Sequence, residues 1–331
     1  MVGVPHNGDG YRKELVRDDW GAHPVTRVTN YRGFVFGNFD AEAPVFEDYL
    51  GDMAFYFESV VGRYPEGLEF LEGVHKWRIK CNWKLPSENF AGDFYHAESA
   101  HAAAIRSMAR DDQNSSGPRK EGEGLRAPGQ QITTTHGHGT QFNRVMTPSF
   151  GGRVVDEYWA SCLPDQIERL GETRAKYIRS GAVTIFPNFS YVNGIQTFRV
   201  WHPKGPGEIE VWAWIAVPKG ASPEVKNAMR IGALRTFSPG GLFEQEDGEN
   251  WGEVQEVLRG HVARNTKLNY AMGIGHEIAD KELPGVVNYV YSETAARGLY
   301  RAWLIHLQSD SWDEFDERTK ARKLMPAEVG G

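Results

Sequence analysis

Between Tyr31 and Phe39 apolar residues alternate with small or polar ones, a strand pattern that stops at Asp40 and a Pro-containing turn. After Pro44 the period changes. Tyr49, Leu50, Met53, Phe57, Val60 and Val61 recur near the helical repeat, which predicts a helix there. Gly73–Lys80 reads as a strand leading into Asn82-Trp83-Lys84. The stretch from Arg110 to Gln131 is polar and rich in Gly and charge, so it is expected to be a surface loop or lid. Four segments then carry β-branched and aromatic residues: 154–162, 182–192, 195–201 and 208–217. The last two flank His202-Pro203-Lys204-Gly205-Pro206-Gly207 and predict an antiparallel hairpin. Ser222-Pro223-Glu224 starts a helix, with Ser as N-cap and Pro in the first turn, running to about Thr236. A further helix is expected just after Asp247, carrying Trp251, Val254, Leu258 and Val262 on one face. A last one starts near Ser292 and buries Ala295, Leu299 and Trp303. The sum predicts an α+β fold, one antiparallel sheet with helices packed on it.

Composition narrows the classes. Hydrophobic content of 40% and charged content of 24% are those of an ordinary globular protein with a sizeable core. The net charge is −7 with no long basic run, which argues against nucleic acid as a partner. Two cysteines, Cys81 and Cys162, suggest no disulfide framework, and a reducing cytoplasm is the default. No apolar run approaches a membrane span, and the residues after Met1 lack a signal-peptide pattern. A cytoplasmic protein with no membrane association is expected. Ten Trp and an aromatic content of 12% suit a filled core, and equally the walls around a flat apolar ligand.

The chemistry concentrates in two places. His96 and His101 end the stretch Asn82–His101, and an acidic run, Phe243-Glu244-Gln245-Glu246-Asp247-Gly248-Glu249-Asn250-Trp251, lies far downstream. Two neutral imidazoles and one carboxylate leave the opposite face of an ion open, which suits non-haem Fe(II) and O2. On a straight helix a five-residue step turns the side chain by about 500°, leaving two histidines roughly 140° apart. The backbone between His96 and His101 must therefore be irregular. Asp93, three residues before His96, is placed to accept a hydrogen bond from the non-ligating ring nitrogen. Asp247 is the chosen third ligand because a helix is expected to begin there; Glu244, Glu246 and Glu249 compete, and spacing alone does not separate them. The His-Glu-x-x-His peptidase motif is absent.

These motifs resemble the large (α) subunit of Rieske-type ring-hydroxylating dioxygenases: Asn82-Trp83-Lys84, Glu88-Asn89, Gly92-Asp93-x-Tyr95-His96-x-x-x-x-His101 and Phe243–Trp251. Trp201-His202-Pro203-Lys204-Gly205-Pro206 and Tyr291-Ser292-Glu293-Thr294-Ala295-Ala296-Arg297-Gly298-Leu299-Tyr300 extend the likeness over essentially the whole chain. The resemblance implies a helix-grip domain, a curved antiparallel sheet with helices around an apolar cavity. It implies residues 46–331 as a mononuclear iron domain and residues 1–45 as the C-terminal remnant of a Rieske domain. His96, His101 and Asp247 match the Fe(II) ligands. Asp93 matches the carboxylate linking iron to the cluster of a neighbouring subunit, and Asn89 a polar residue beside the iron. Phe90, Phe94, Ala97, Ile195, Phe237, Leu242 and Phe243 fall at pocket-lining positions. The implied reaction adds both atoms of O2 to an aromatic hydrocarbon, giving a cis-dihydrodiol, with NAD(P)H as ultimate donor. The implied partners are a ferredoxin, a reductase, other α subunits and a small β subunit, in an α3β3 or α3 assembly.

One departure stands out. The family binds a [2Fe–2S] cluster through Cys₂His₂, and no Cys-x-His or Cys-x-x-His occurs here. The cluster is expected in a longer protein, with no ligands in this chain. A non-catalytic carrier of hydrophobic ligands is the alternative function, and a zinc hydrolase ranks behind both. His136-Gly137-His138 reads as loop rather than a second metal site, and Cys81 as a small buried hydrophobe.

Overall fold

A computed structural model describes residues 3–111, 128–146 and 148–323. Contacts divide the chain into two units, Met1–Phe46 and Glu47–Gly331. The first holds a hairpin of β1 (Arg27–Tyr31) and β2 (Phe34–Asn38), with Tyr31 opposite Phe34. Its turn, Arg32-Gly33, has φ of 54° and 93°, the left-handed pair that a two-residue hairpin favours.

The helix expected after Pro44 is two pieces, α1 (Phe46–Leu50) and α2 (Met53–Val61), separated at Gly51 with φ 47°. Leu50, Met53, Phe57, Val60 and Val61 are buried, as the period predicts, Tyr49 is half-buried, and Tyr56, outside that pattern, is buried with them. There follow β3 (Leu68–Phe70), β4 (His75–Ile79), α3 (Lys84–Gly92) and α4 (Ala102–Asp111). Next come β5 (Gly129–Thr133), β6 (Gly139–Asn143), α5 (Arg153–Leu170), α6 (Glu172–Lys176), β7 (Gly181–Ile185) and β8 (Phe189–Asn193). The chain continues through β9 (Thr197–Gly205), β10 (Glu208–Pro218), α7 (Pro223–Phe237) and α8 (Leu242–Val257). It closes with β11 (Val286–Tyr289), α9 (Thr294–Gln308) and α10 (Trp312–Lys323).

Among the described residues the nine strands after β2 form one antiparallel sheet, in the order β11-β5-β6-β7-β8-β9-β10-β3 with β4 also paired to β10. The long β10 divides its far edge between β4, opposite Ile209–Ala213, and β3, opposite Ala216–Pro218. Helices pack on the sheet, giving the expected α+β, helix-grip-type domain. The apolar core joins Phe90 of α3 to Val192, Trp201, Ile209, Val211 and Trp251. Cys81 lies in it, and burial pushes its thiol up to about 12.

α3 positions the site. Pro86, Ser87, Asn89, Phe90, Ala91 and Gly92 are all buried, because the helix runs between the sheet and α9. A Cβ on Gly92 would meet Ala295 Cβ at 2.6 Å and Gln131 Cδ at 2.7 Å, so only glycine allows this approach. Gln131, fully buried on β5, clamps that end: its amide donates to the carbonyls of Gly92 and Ser292 and accepts from the Ala295 N–H.

Four expectations need correction. Residues 154–162 are not a strand but lie within α5. Val155 and Trp159 are buried four residues apart and pack with Val225 and Met229 of α7. Residues 182–192 are two strands, β7 and β8, with Pro187 in the connection between them. α8 begins at Leu242, so Asp247 lies inside a helix instead of before one. Of the loop expected over 110–131, Arg110 and Asp111 close α4 and Gly129–Gln131 open β5; 112–127 lie outside the described residues. The Ser222 cap survives intact, its hydroxyl accepting from the Val225 N–H at 3.3 Å.

Candidate metal centre

α3 stops at Gly92. Asp93 has φ −105° and ψ 69°, which breaks the helix, and Tyr95–Glu98 form a single 3-10 turn before α4. Between the two histidines the backbone is irregular, as the five-residue interval demands. The His96 carbonyl accepts from the N–H groups of both Ser99 (3.0 Å) and Ala100 (2.7 Å), which folds the segment back so that His101 faces His96. α8 brings the acid: Phe243, Glu244, Asp247 and Trp251 share its buried face.

His96 Nε2 and His101 Nε2 are 3.1 Å apart, and Asp247 Oδ1 lies 3.3 and 3.2 Å from them. These are the described His, Cys, Asp and Glu side chains close enough to hold one ion. The far nitrogens fix which atoms carry protons. His101 Nδ1 faces Glu246 Oε2 at 2.7 Å, and His96 Nδ1 faces the main-chain carbonyl of Asp93. A carboxylate and a carbonyl only accept, so both Nδ1 atoms are protonated, which leaves Nε2 as the ring atom that each neutral imidazole would offer to a metal. Asp247 is 2% exposed and no donor is aligned on its Oδ1. Two ring nitrogens and a carboxylate oxygen thus converge on one point, which is repulsive unless positive charge, a proton or a metal ion, sits among them. Ligand atoms about 2.1 Å from one ion and at right angles to each other are about 3 Å apart, close to the spacing found. The acidic surroundings draw positive charge to the same point: against the cost of burial, Asp247 and Asp93 raise His96 to about 10, and Asp247 and Glu246 raise His101, so without a metal a ring proton takes the place a metal ion would fill. Burial opposes charge on Asp247, but the two imidazoles hold its carboxylate below the usual range.

The acidic competitors are occupied elsewhere. Glu244 is buried against the Arg199 guanidinium, and Glu249 is exposed. Burial pushes Glu244 up to about 7 against the pull of Arg199, whose guanidinium lies over the Phe90, Phe237 and Trp201 rings, 4.9–5.4 Å from their centres. Glu246 supports His101; this orienting role was not read from the sequence, although its place beside Asp247 was the available signal. For Asp93 the expectation is corrected in part. Its main chain, not its carboxylate, takes the His96 Nδ1–H, and Oδ2 stands off at 3.6 Å. Asn89 is buried, with its amide nitrogen 3.4 Å from that Oδ2 and 3.3 Å from His96 Nδ1.

A cleft of about 550 Å³ opens on this centre, bordered by Glu88, Asn89, Asp93, His96 and Asp247, with Trp251 and Leu268 beyond. None of the seven expected pocket residues borders it. Phe90 and Ile195 are core residues with Trp251, and Phe237 packs on that cluster. Phe243 holds its ring 4.7 Å from His101 and 5.5 Å from Phe237. Phe94 tilts against Tyr291, and Ala97 is half-buried. Leu242 does not join them: one position before Phe243 it turns off the buried face of α8 and is 45% exposed. His138 is structural, donating from Nε2 to the Tyr49 carbonyl at 2.8 Å and accepting the Phe186 N–H at 2.9 Å. No described helix is long and apolar enough to cross a membrane.

Residues 56–309 match the family model of the ring hydroxylating α subunit, catalytic domain. The chain is 41% identical over 326 residues to the biphenyl 2,3-dioxygenase α subunit of Rhodococcus jostii, covering 96% of this chain and 69% of that protein. It is 38% identical over 325 residues to the benzene 1,2-dioxygenase α subunit of Pseudomonas putida, covering 95% and 70%. Naphthalene 1,2-dioxygenase with indole in its active site superposes with a TM-score of 0.82 at 31% identity, over 97% of this chain and 72% of that one. A likeness this long, in a chain where two histidines and an aspartate meet at one point, makes it a member of the ring-hydroxylating dioxygenase α-subunit family, whose catalytic domain it carries.

Proposed function

We propose that this domain adds both atoms of O2 to an aromatic hydrocarbon, giving a cis-dihydrodiol, at Fe(II) held by His96, His101 and Asp247. The observation that carries the reading is the triangle of Nε2, Nε2 and Oδ1 atoms with edges of 3.1–3.3 Å. Iron bound there supplies the O2 chemistry through positions the three ligands leave open. The chain's own residues do the rest. Glu246 and the Asp93 carbonyl fix the tautomer and the angle of each imidazole. Asn89 sets the edge of His96 that faces the cleft. The rings of Phe90, Phe237 and Phe243 pack against one another beside the centre, and we read them as the apolar wall on the arene's side.

Asp93 is read as the entry point for electrons from a [2Fe–2S] cluster on a neighbouring α subunit. Its place on the open cleft, 3.6 Å from His96, supports this. The two cysteines, one in the core and one on α5, are not spaced as cluster ligands, so the cluster would come from outside these residues. Residues 1–45 are read as part of a cluster-binding domain, which their separate two-stranded unit supports. A ferredoxin, a reductase, a β subunit and a cytoplasmic setting complete the proposal.

The test is anaerobic Fe(II) titration of the chain. One iron per chain is expected, without labile sulfide, and His96→Ala, His101→Ala or Asp247→Ala should each abolish it while far-UV circular dichroism stays unchanged. Iron held equally by all three variants would overturn the reading.

A further inference from the structure

Beside the metal centre, the cleft holds one carboxyl group in an unusual setting. Glu88 is on α3 next to Asn89 and borders the same cleft as Asp93, His96 and Asp247. Its Oε2 accepts from the Tyr300 hydroxyl at 2.5 Å and the Tyr270 hydroxyl at 3.2 Å, and those two rings meet edge to face. The other charged groups acting on it, Asp93 and Glu293, are acidic. Tyr95 is nearby and donates to Glu293.

The neighbouring cations point elsewhere. Lys84, one turn earlier on α3, holds its ammonium over the Trp83 and Trp303 rings. Arg297 of α9 donates to the carbonyls of Tyr270 and Met272 and to Thr294 Oγ1. A largely buried carboxyl facing acids, with no cation opposite among the described residues, favours its protonated form. Burial pushes Glu88 up to about 7, although the two tyrosine hydroxyls pull the other way.

We propose that Glu88 is the proton-holding residue of the cleft, keeping a proton in the resting protein and releasing it to cleft water as the reaction draws protons. The inference rests on the dioxygenase reading. Making a diol from an arene and O2 consumes as many protons as electrons, the electrons coming from reduced nicotinamide. In the Glu88 step the carboxyl O–H bond breaks, the proton passes to water, and the bonding pair stays on the carboxylate. The Tyr270 and Tyr300 hydroxyls hold that carboxylate until bulk water returns a proton. Glu88 itself gains and loses no electron.

The experiment is infrared difference spectroscopy of the whole chain, with and without Fe(II), titrated across neutral pH. A protonated-carboxyl C=O band should vanish with a midpoint at about pH 7 and be missing in Glu88→Gln. Glutamine still accepts from both tyrosines, so the thermal midpoint of that variant should stay within a degree or two of wild type, on the order of a few tenths of a kcal/mol. Tyr300→Phe removes a donor to the carboxylate and should move the band's midpoint upward, on the order of one pH unit. A band that is missing, that persists in Glu88→Gln, or whose midpoint ignores Tyr300→Phe overturns the proposal while leaving iron binding untouched. A chain that shows the band but binds no iron overturns the dioxygenase reading, and with it the role given to this proton.

Discussion

His101 is gripped at both ring nitrogens, and the grip was only half visible in its sequence neighbourhood. The five-residue step from His96 is enough to require a broken backbone, and the 3-10 turn at Tyr95–Glu98 supplies it. The carboxylate behind the ring belongs to Glu246, next to the ligand Asp247, and adjacency alone does not say which acid points where. The main-chain carbonyl of Asp93 leaves no mark in any sequence, which is why the side chain seemed the natural acceptor for His96. Glu246→Gln keeps an acceptor for the Nδ1–H but removes its charge. Fe(II) affinity should fall roughly tenfold to a hundredfold, as is usual for partners behind a metal ligand. Metal titration checks this, and an unchanged affinity would assign Glu246 no part in the centre.

Elements were legible where one side of them meets water. β9 and β10 alternate and are joined through Pro206-Gly207, so the hairpin could be read directly. α5 could not, because Val154, Val155, Tyr158 and Trp159 have strand-like side chains. Their spacing serves a helix packed on α7, where packing decides over composition. The start of α8 leaves little sign in the sequence because its first turn, Leu242–Gln245, mixes apolar and acidic residues with no capping side chain; Gly241 stands at the cap. That turn is tied to β9 by Arg199 and Glu244, both buried. Glu244→Ala leaves a buried guanidinium without its partner and should cost about 3–5 kcal/mol. Replacing both, as Arg199→Met with Glu244→Leu, should recover most of that loss. Denaturant unfolding of the single and double variants measures the difference, and a double variant as unstable as the single would refute the account.

At the scale of the molecule, the fold class followed from the succession of periods, but the strand order did not. Nothing local reveals that β11 lies at one edge of the sheet beside β5, or that β10 serves two partners at the other. Such pairings depend on the global closure of the core. The same core sets the response to acid. Burial pushes His138 down to about 3 and His306 to about 4, below the ordinary 6.5 of the unfolded chain. A depressed imidazole gives stability that is complete above about pH 6.5 and is lost as pH falls toward the folded value. For His138 alone the loss should be on the order of 2 kcal/mol by about pH 5. His138→Gln keeps a donor and an acceptor without the titration, so urea midpoints should depend less steeply on pH in that variant. An identical slope would rule His138 out.

The ligands reach the centre from two kinds of backbone. Asp247 rises from the middle of a 16-residue helix braced against the sheet, whereas His96 and His101 hang on a short irregular bridge between helices. The continuous hydrogen-bond ladder makes one half stiff, and the bridge leaves the other compliant. A displacement at Asp93, whose carbonyl holds His96, would therefore reach the imidazoles before the Asp247 carboxylate.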